Sequence, residues 1–370
     1  MFTNNSDLMT AIRGRFAHVD SCPFQGPRIF FENAGGALTL NSVVDTSALF
    51  AAIPDNQGRD NAASHALVGK ITQARADMAL FFNTSGGRFF VGESGTELSF
   101  RLIRTAVMGT PNGAVIGSTV EHPASRSAAL HWANIAGKPY ISVPHDDATG
   151  QVTAAAYARL MTPQVRVATI LHTSPVTGIA NDVAGISAAI RAVSPEAIIF
   201  VDGIQHASHG RIDIASYDID GYVISPYKLF SRHGYGIAWA SDRLTGLSLE
   251  TLANGPAGNW ELGTRDTGSY ATFSDVVRYF DLPGVTMLGG ADNPAREGLV
   301  SFALDAVPAA AIVEKLNAQG IRTHLRKADH YSGNILTPLG LEAAVRVSLC
   351  HYNTLDEIRT LLAALKDIAE

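Results

Sequence analysis

The sequence predicts an α/β fold: a large, mostly parallel sheet covered by helices on both faces, followed by a smaller C-terminal α+β unit. Three observations carry that expectation. Short, uninterrupted apolar runs alternate with helical patterns through the central part of the chain, as expected of strands buried on both faces. The pattern changes after Gly258–Gly268, a stretch rich in glycine and polar residues, beyond which strands and helices follow in a different rhythm. At 370 residues the chain is also long enough for more than one core.

The elements follow in order. Ile29–Phe31 is a short apolar piece, and Ala63–Phe82 carries helical spacing. The small-residue turn Gly92–Glu97 (G-E-S-G-T-E) opens into a helical run, Leu98–Val107. Gly113–Thr119 reads as a buried strand and is followed by a helix from Pro123 through Ile135. Val165–Leu171 is the next strand, with a helix over Val183–Val193. Ala197–Val201, Gly221–Ser225 and Tyr235–Ala240 follow as strands, the last two with short connections. In the C-terminal part Ser301–Leu304, Ile321–Leu325 and Val345–Leu349 read as strands, and Ala309–Gln319 and Thr354–Ile368 as helices. The expected division is an N-terminal segment 1–20, a large domain 21–282 and a small domain 283–370.

Composition narrows the function classes. A net charge of −6 gives no basic surface for nucleic acid. Two cysteines, Cys22 and Cys350, imply neither a disulfide framework nor a thiolate metal cluster. His206, His209 and His233 have no familiar zinc spacing, so no metal is expected. No apolar run is long enough to span a bilayer, and the N-terminus has no basic region followed by an apolar one, so a cytoplasmic protein is expected.

The stretch V-I-S-P-Y-K-L-F places Lys228 among apolar residues. A lysine is rarely buried as an ammonium without a partner, but a lysine bonded as an imine to an aldehyde cofactor escapes that cost. In a parallel sheet, ligands sit at the carboxyl ends of the strands. There the predicted strands deliver Glu121-His122, the turn His172–Gly178, Asp202-Gly203-Ile204-Gln205 and Pro226-Tyr227-Lys228. This set suits pyridoxal 5'-phosphate. Lys228 answers the aldehyde, Asp202 the ring nitrogen, and the turn holding Ser94, Gly95 and Thr96 the phosphate at a helix N-terminus.

On these motifs the chain resembles the class V aminotransferase family of fold-type I pyridoxal-phosphate enzymes, and its cysteine-desulfurase-like branch in particular. F-F-E-N-A-G-G, G-T-E, E-H, V-D-G-I-Q-H-A, S-P-Y-K, W-E-L-G-T-R-D and R-V-S-L-C-H-Y-N-T occur in that family's order over nearly the whole length. The resemblance implies a seven-stranded type of large sheet domain. It puts His122 over the cofactor ring, Asp202 on the ring nitrogen, Gln205 on the phenolic oxygen and Ser225 on the phosphate. Lys228 becomes the Schiff-base residue and, once freed, the base at the α-carbon. Thr264 would reach the phosphate of a partner subunit, which with Gln57 and Arg59 implies a homodimer with shared sites. Arg346 would hold a substrate α-carboxylate, with Asn33, His330 and Tyr331 also at the substrate.

The chain departs from the pattern in three places. The loop that carries the sulfur-accepting cysteine in desulfurases is here His330–Leu336, with no cysteine. Tyr227 stands where a histidine commonly precedes the lysine. Pro175 occupies the locality of an asparagine donor to the cofactor, leaving Ser174, Thr173 or Gln205 as replacements. The leading expectation is amino-group transfer on a small amino substrate. The alternatives are a carbon–sulfur or other β-eliminating lyase, a racemase or epimerase, and lastly a cofactor-binding protein without catalysis. A nucleotide enzyme using G-E-S-G-T-E is disfavoured, since that turn lacks a P-loop lysine.

Overall fold

A computed structural model of the chain describes residues 6–247, 250–255, 260–280, 297–304 and 307–369. Seven strands form the main sheet: β1 (Arg88–Gly92), β2 (Ala114–Ser118), β3 (Tyr140–Val143), β4 (Val165–Leu171), β5 (Ile198–Asp202), β6 (Gly221–Ile224) and β7 (Gly236–Ala240). Their order across the sheet is β1-β7-β6-β5-β4-β2-β3. The five strands from β6 to β3 run parallel to one another, and β7 lies antiparallel to both β1 and β6.

Every residue of β2, β5, β6 and β7 is buried, which is why these strands read as continuous apolar runs. Neighbouring residues turn to opposite faces. Val115, Phe200, Val223 and Ala238 pack with Leu98, Leu102 and Ile103 of α2 (Gly95–Gly109). Ile116, Val201, Ile224 and Ile237 face a second core that includes Ile71 and Met78 of α1 (Ala62–Phe81). Each fully buried aliphatic side chain of this kind contributes about 1.5–3 kcal/mol, so the two-sided core fixes the register that aligns the strand ends.

A second, three-stranded antiparallel sheet joins β8 (Leu299–Phe302), β9 (His324–Lys327) and β10 (Ala343–Ser348), with β10 in the middle. Ile312, Leu316, Val345, Val347, Leu361 and Ile368 form its core with two helices, Ala309–Ala318 and Leu355–Ala369. The last helix starts at a capping box: the Glu357 N–H donates to Thr354 Oγ1 and the Thr354 N–H to Glu357 Oε2.

Three sequence expectations need correction. The edge strands β1 and β3 were not foreseen; R-F-F-V-G and Y-I-S-V are short and carry polar residues or glycine. The predicted strand Ile321–Leu325 is two pieces: Ile321–Arg322 pairs in parallel with Ile29–Phe30, and His324 begins β9. Residues 29–31, assigned to the large domain, therefore join the C-terminal layer, and Phe31 is wholly buried in its core. The expected boundary between 282 and 283 lies outside the described residues.

Candidate active site

Parallel pairing sets the site. Leu171 pairs with Asp202 and Asp202 with Val223, so the segments beginning at His172, Gly203 and Ser225 leave the sheet side by side. After β6, Ser225 leads into a single 3-10 turn, Pro226–Lys228, in which the Lys228 N–H donates to Ser225 O at 3.0 Å. The turn carries Lys228 back into the protein, where it is buried with Nζ 5.9 Å from the Tyr227 ring centroid. No ion pair to Lys228 occurs among the described residues.

Burial brings the Lys228 ammonium down to about 8, with the Arg346 charge acting in the same direction and Asp202 opposing. The unfolded value is 10.5, so between pH 8 and 10.5 the unfolded chain binds more protons than the folded one. Folding stability therefore rises with pH through that window, and the burial cost is fully present below pH 8. Lys228→Met in the cofactor-free protein is expected to raise stability at neutral pH by up to about 3 kcal/mol, with the gain vanishing near pH 10.5. Urea unfolding at several pH values measures this, and a gain independent of pH would contradict it.

Asp202 is 1% exposed; Oδ1 accepts from the Ile204 N–H at 3.1 Å while Oδ2 has no partner. Burial raises its carboxyl to about 6. Gln205 is equally buried, and neither its amide oxygen nor its nitrogen has a partner. Native proteins rarely leave such groups unpaired. The neighbouring hydroxyls are already engaged. Thr173 Oγ1 donates to Glu297 at 2.8 Å, and Ser174 Oγ accepts from the Val176 and Thr177 N–H groups. Of the three candidates to replace the missing asparagine, Gln205 has both amide atoms without a partner, and the Ser174 hydroxyl, which only accepts in these bonds, keeps its proton to donate.

The turn into α2 lies against this set. A Cβ at Gly95 would collide with Ser225 Oγ, and one at Gly236 with the backbone of Ser94, so both positions need glycine for close approach. Ser94 caps α2 by accepting from the Glu97 N–H at 3.1 Å. The N–H groups of Gly95 and Thr96 precede the first intrahelical bonds and remain open to an anion. Ser94, Gly95 and Ser225 thus meet in one cradle, with exposed Thr96 at its rim.

His122 caps the helix Pro123–Ile135, Nδ1 accepting from the Ala124 N–H at 3.1 Å, which leaves the ring proton on Nε2. Burial, with the charges of Lys228 and Arg326, brings it down to about 3, so the ring is neutral. Its edge meets the Tyr331 ring, centroids 4.8 Å apart. Arg346, in β10, is fully buried and donates to Pro175 O at 3.1 Å, while Nε and Nη2 lack partners.

Residues 94–96, His122, Asp202, Gln205, Ser225, Lys228, Tyr331 and Arg346 are thus linked through one another. Three candidates are not. The amide of Asn33 is spent on structure: it donates to Ser348 O at 2.6 Å and to Asn353, and accepts from the Tyr352 hydroxyl, so it ties the N-terminal segment to the C-terminal sheet. His330 is exposed. Thr264 is exposed on a separate cavity with Gln57, Arg75 and Trp260, and Gln57 is bonded to Arg265 O and Thr267 within the same chain. His206 and His233 have other roles: His206 stacks on His172 and pairs with Glu297, and His233 stacks on Tyr227.

Arg326 was missed. It is buried in β9, with its guanidinium 4.5 Å from the Tyr331 ring centroid. In sequence it is one cation in H-L-R-K, and only the strand register shows that it faces the site.

The donor set fits pyridoxal 5'-phosphate: an uncommitted amine, a carboxylate oxygen and an amide without partners, and a helix N-terminus that only glycine allows so close to a serine hydroxyl.

Comparison with known proteins agrees. The sequence model of the family described as Aminotransferase class-V matches residues 29–256 and 272–361. A probable cysteine desulfurase of Mycolicibacterium paratuberculosis is 25% identical over 98% of this chain, which spans only 58% of that relative's length. One from Vibrio cholerae is 22% identical over 96% of this chain and 97% of its own. The crystal structure of the cysteine desulfurase CsdA from Escherichia coli superposes with a TM-score of 0.82 at 21% identity, covering 99% of this chain and 98% of that one.

Proposed function

The chain belongs to the class V aminotransferase family, whose enzymes use pyridoxal 5'-phosphate, and from that premise we propose that it is a lyase releasing a β-substituent from an α-amino acid. The observation that carries this reading is the buried Lys228 amine beside Asp202 and Gln205, whose free atoms match the cofactor's, with buried Arg346 facing the same space. The sequence favoured amino-group transfer. The relatives' names support the lyase alternative better, since cysteine desulfurases break a carbon–sulfur bond.

Bound pyridoxal phosphate supplies a protonated ring that draws electrons from the substrate's α-carbon. The Asp202 carboxylate would keep the proton on the ring nitrogen, and Gln205 would donate to the phenolic oxygen. Ser94, Gly95, Thr96 and Ser225 would hold the phosphate, and neutral His122 would cover one ring face. Arg346 would grip the α-carboxylate with a planar fork. Lys228 would take the α-proton as a neutral amine, which its lowered titration favours. The β-substituent would leave with its bonding electron pair. A homodimer, with Thr264 reaching the partner's phosphate, belongs to the same reading.

Neither cysteine fits the sulfur-accepting role. Cys350 is held at about 12 by burial and lies past the end of β10. Cys22 is in a two-stranded ribbon, Ser21–Cys22 with Gly26–Pro27. No cysteine stands in the loop His330–Leu336, where desulfurases carry their sulfur acceptor, which directs the reading to elimination rather than sulfur transfer.

β-Chloro-L-alanine tests this. The cofactor-loaded enzyme is expected to release pyruvate and ammonia in equal amounts without a keto-acid acceptor. Keto-acid formation only with added acceptor would establish transamination instead.

A further inference from the structure

A second set of buried titratable groups takes no part in the chemistry above: His172, His206, Tyr222 and Glu297. They come from the end of β4, the turn after β5, β6 itself and the residues just ahead of β8. His206 stands at their junction. Its Nδ1 is 2.5 Å from Glu297 Oε1, which also accepts from Thr173 Oγ1 at 2.8 Å, and its Nε2 is 3.2 Å from Arg211 O. A carbonyl can only accept, so Nε2 carries a proton, and a second is shared between Nδ1 and the carboxylate. The ring stacks on His172, with centroids 3.5 Å apart and planes 13° from parallel. Burial, and then the neighbouring His206, hold His172 well below its ordinary range, and its Nδ1 meets the Tyr222 hydroxyl at 2.8 Å. A Cβ on Gly210 would lie 2.1 Å from His206 Cε1, so the ring fills space that only glycine leaves.

These contacts hold the turn that carries Gln205. The Tyr222 ring packs directly on Gly203 at the start of that turn, and His206 follows Gln205 at its end. Neither amide atom of Gln205 has a protein partner, so the aim of its side chain is set by the backbone on either side. Glu297 anchors that backbone through His206 and is itself fixed, its N–H donating to Gly178 O at 2.9 Å. A buried carboxylate–imidazole pair adds little stability over an apolar pair of the same shape. What it adds is direction, since the shared proton allows one ring orientation and hence one setting of the chain at 205–206.

We infer that Glu297, acting through the His206 ring, is a positioning residue that aims the Gln205 amide at the cofactor's phenolic oxygen. This rests on the placement of Gln205 given above and adds the device that holds it. Because Glu297 leads into β8, the device also draws the C-terminal layer into cofactor binding.

Absorption titration of the apo-protein with pyridoxal 5'-phosphate tests this without depending on turnover. Glu297→Gln is expected to weaken cofactor binding by about tenfold. It is also expected to shift the visible band of the bound cofactor in the same direction as Gln205→Ala does. Combined with Gln205→Ala, it is expected to add less than about a further twofold, since both changes act on one contact. His206→Gln breaks the pair from the other side and is read in the same way if circular dichroism shows that Glu297→Gln does not fold. Wild-type affinity in Glu297→Gln, a weakened affinity with an unshifted band, or losses that simply multiply in the double variant overturn the inference and leave the cofactor reading standing. An unaltered band and affinity in Gln205→Ala overturn the placement of Gln205 and the inference with it. Failure of the wild-type protein to take up the cofactor overturns the reading of the site itself.

Discussion

Lys228→Ala is expected to lower turnover by about 10⁴-fold or more while leaving the fold intact. The size of the effect follows from two losses at one atom. Among the described residues Lys228 is the one lysine at the candidate site, so under the proposed function it both attaches the cofactor and takes the α-proton. The fold should tolerate the change because Lys228 makes no ion pair among the described residues and its burial disfavours the charged form. Steady-state turnover of β-chloro-L-alanine, with circular dichroism as the folding control, measures both parts. Retention of a tenth of the activity would remove Lys228 from the chemistry.

The second large effect is expected from Asp202→Asn, about 10²–10³-fold in turnover with little change in stability. Asparagine has nearly the same shape, and its carbonyl oxygen can still accept from the Ile204 N–H as Oδ1 does at 3.1 Å. What it cannot supply is the negative charge at the position of Oδ2, the oxygen that has no protein partner. If that oxygen serves a ring nitrogen, the variant should still bind the cofactor yet fail to withdraw electrons from the substrate. Cofactor content measured beside turnover separates the two effects. A variant with normal turnover would place Asp202 among structural groups.

Much of this site was legible because its residues sit at the ends of strands that advertise themselves. A-I-I-F-V and V-R-V-A-T-I-L are nearly continuous apolar runs, so the positions following them, Asp202 and His172, could be assigned to one rim before any geometry was known. Lys228 was legible for the opposite reason, as a charge in an apolar stretch. The edge strands β1 and β3 were not legible, since an edge needs no two-sided burial and its sequence is mixed.

The C-terminal contribution was harder to read. Arg326 lies in H-L-R-K, which looks like a solvated surface until β9 is aligned with β10. Asn33 erred in the other direction. It sits in a family-like motif, but its amide is used to bind Ser348, Asn353 and Tyr352, and the sequence cannot show which neighbours claim an amide first. The choice between amino transfer and elimination was illegible for a chemical reason: both begin with the same proton removal by the same lysine.

The central claim is that the Lys228 amine joins the cofactor's aldehyde carbon. Borohydride reduction of the cofactor-saturated protein, followed by peptide mapping, tests it most directly. A pyridoxyl group fixed on the peptide that contains Lys228, absent from Lys228→Ala, is the expected result. An unmodified Lys228 in fully loaded, reduced protein would contradict it.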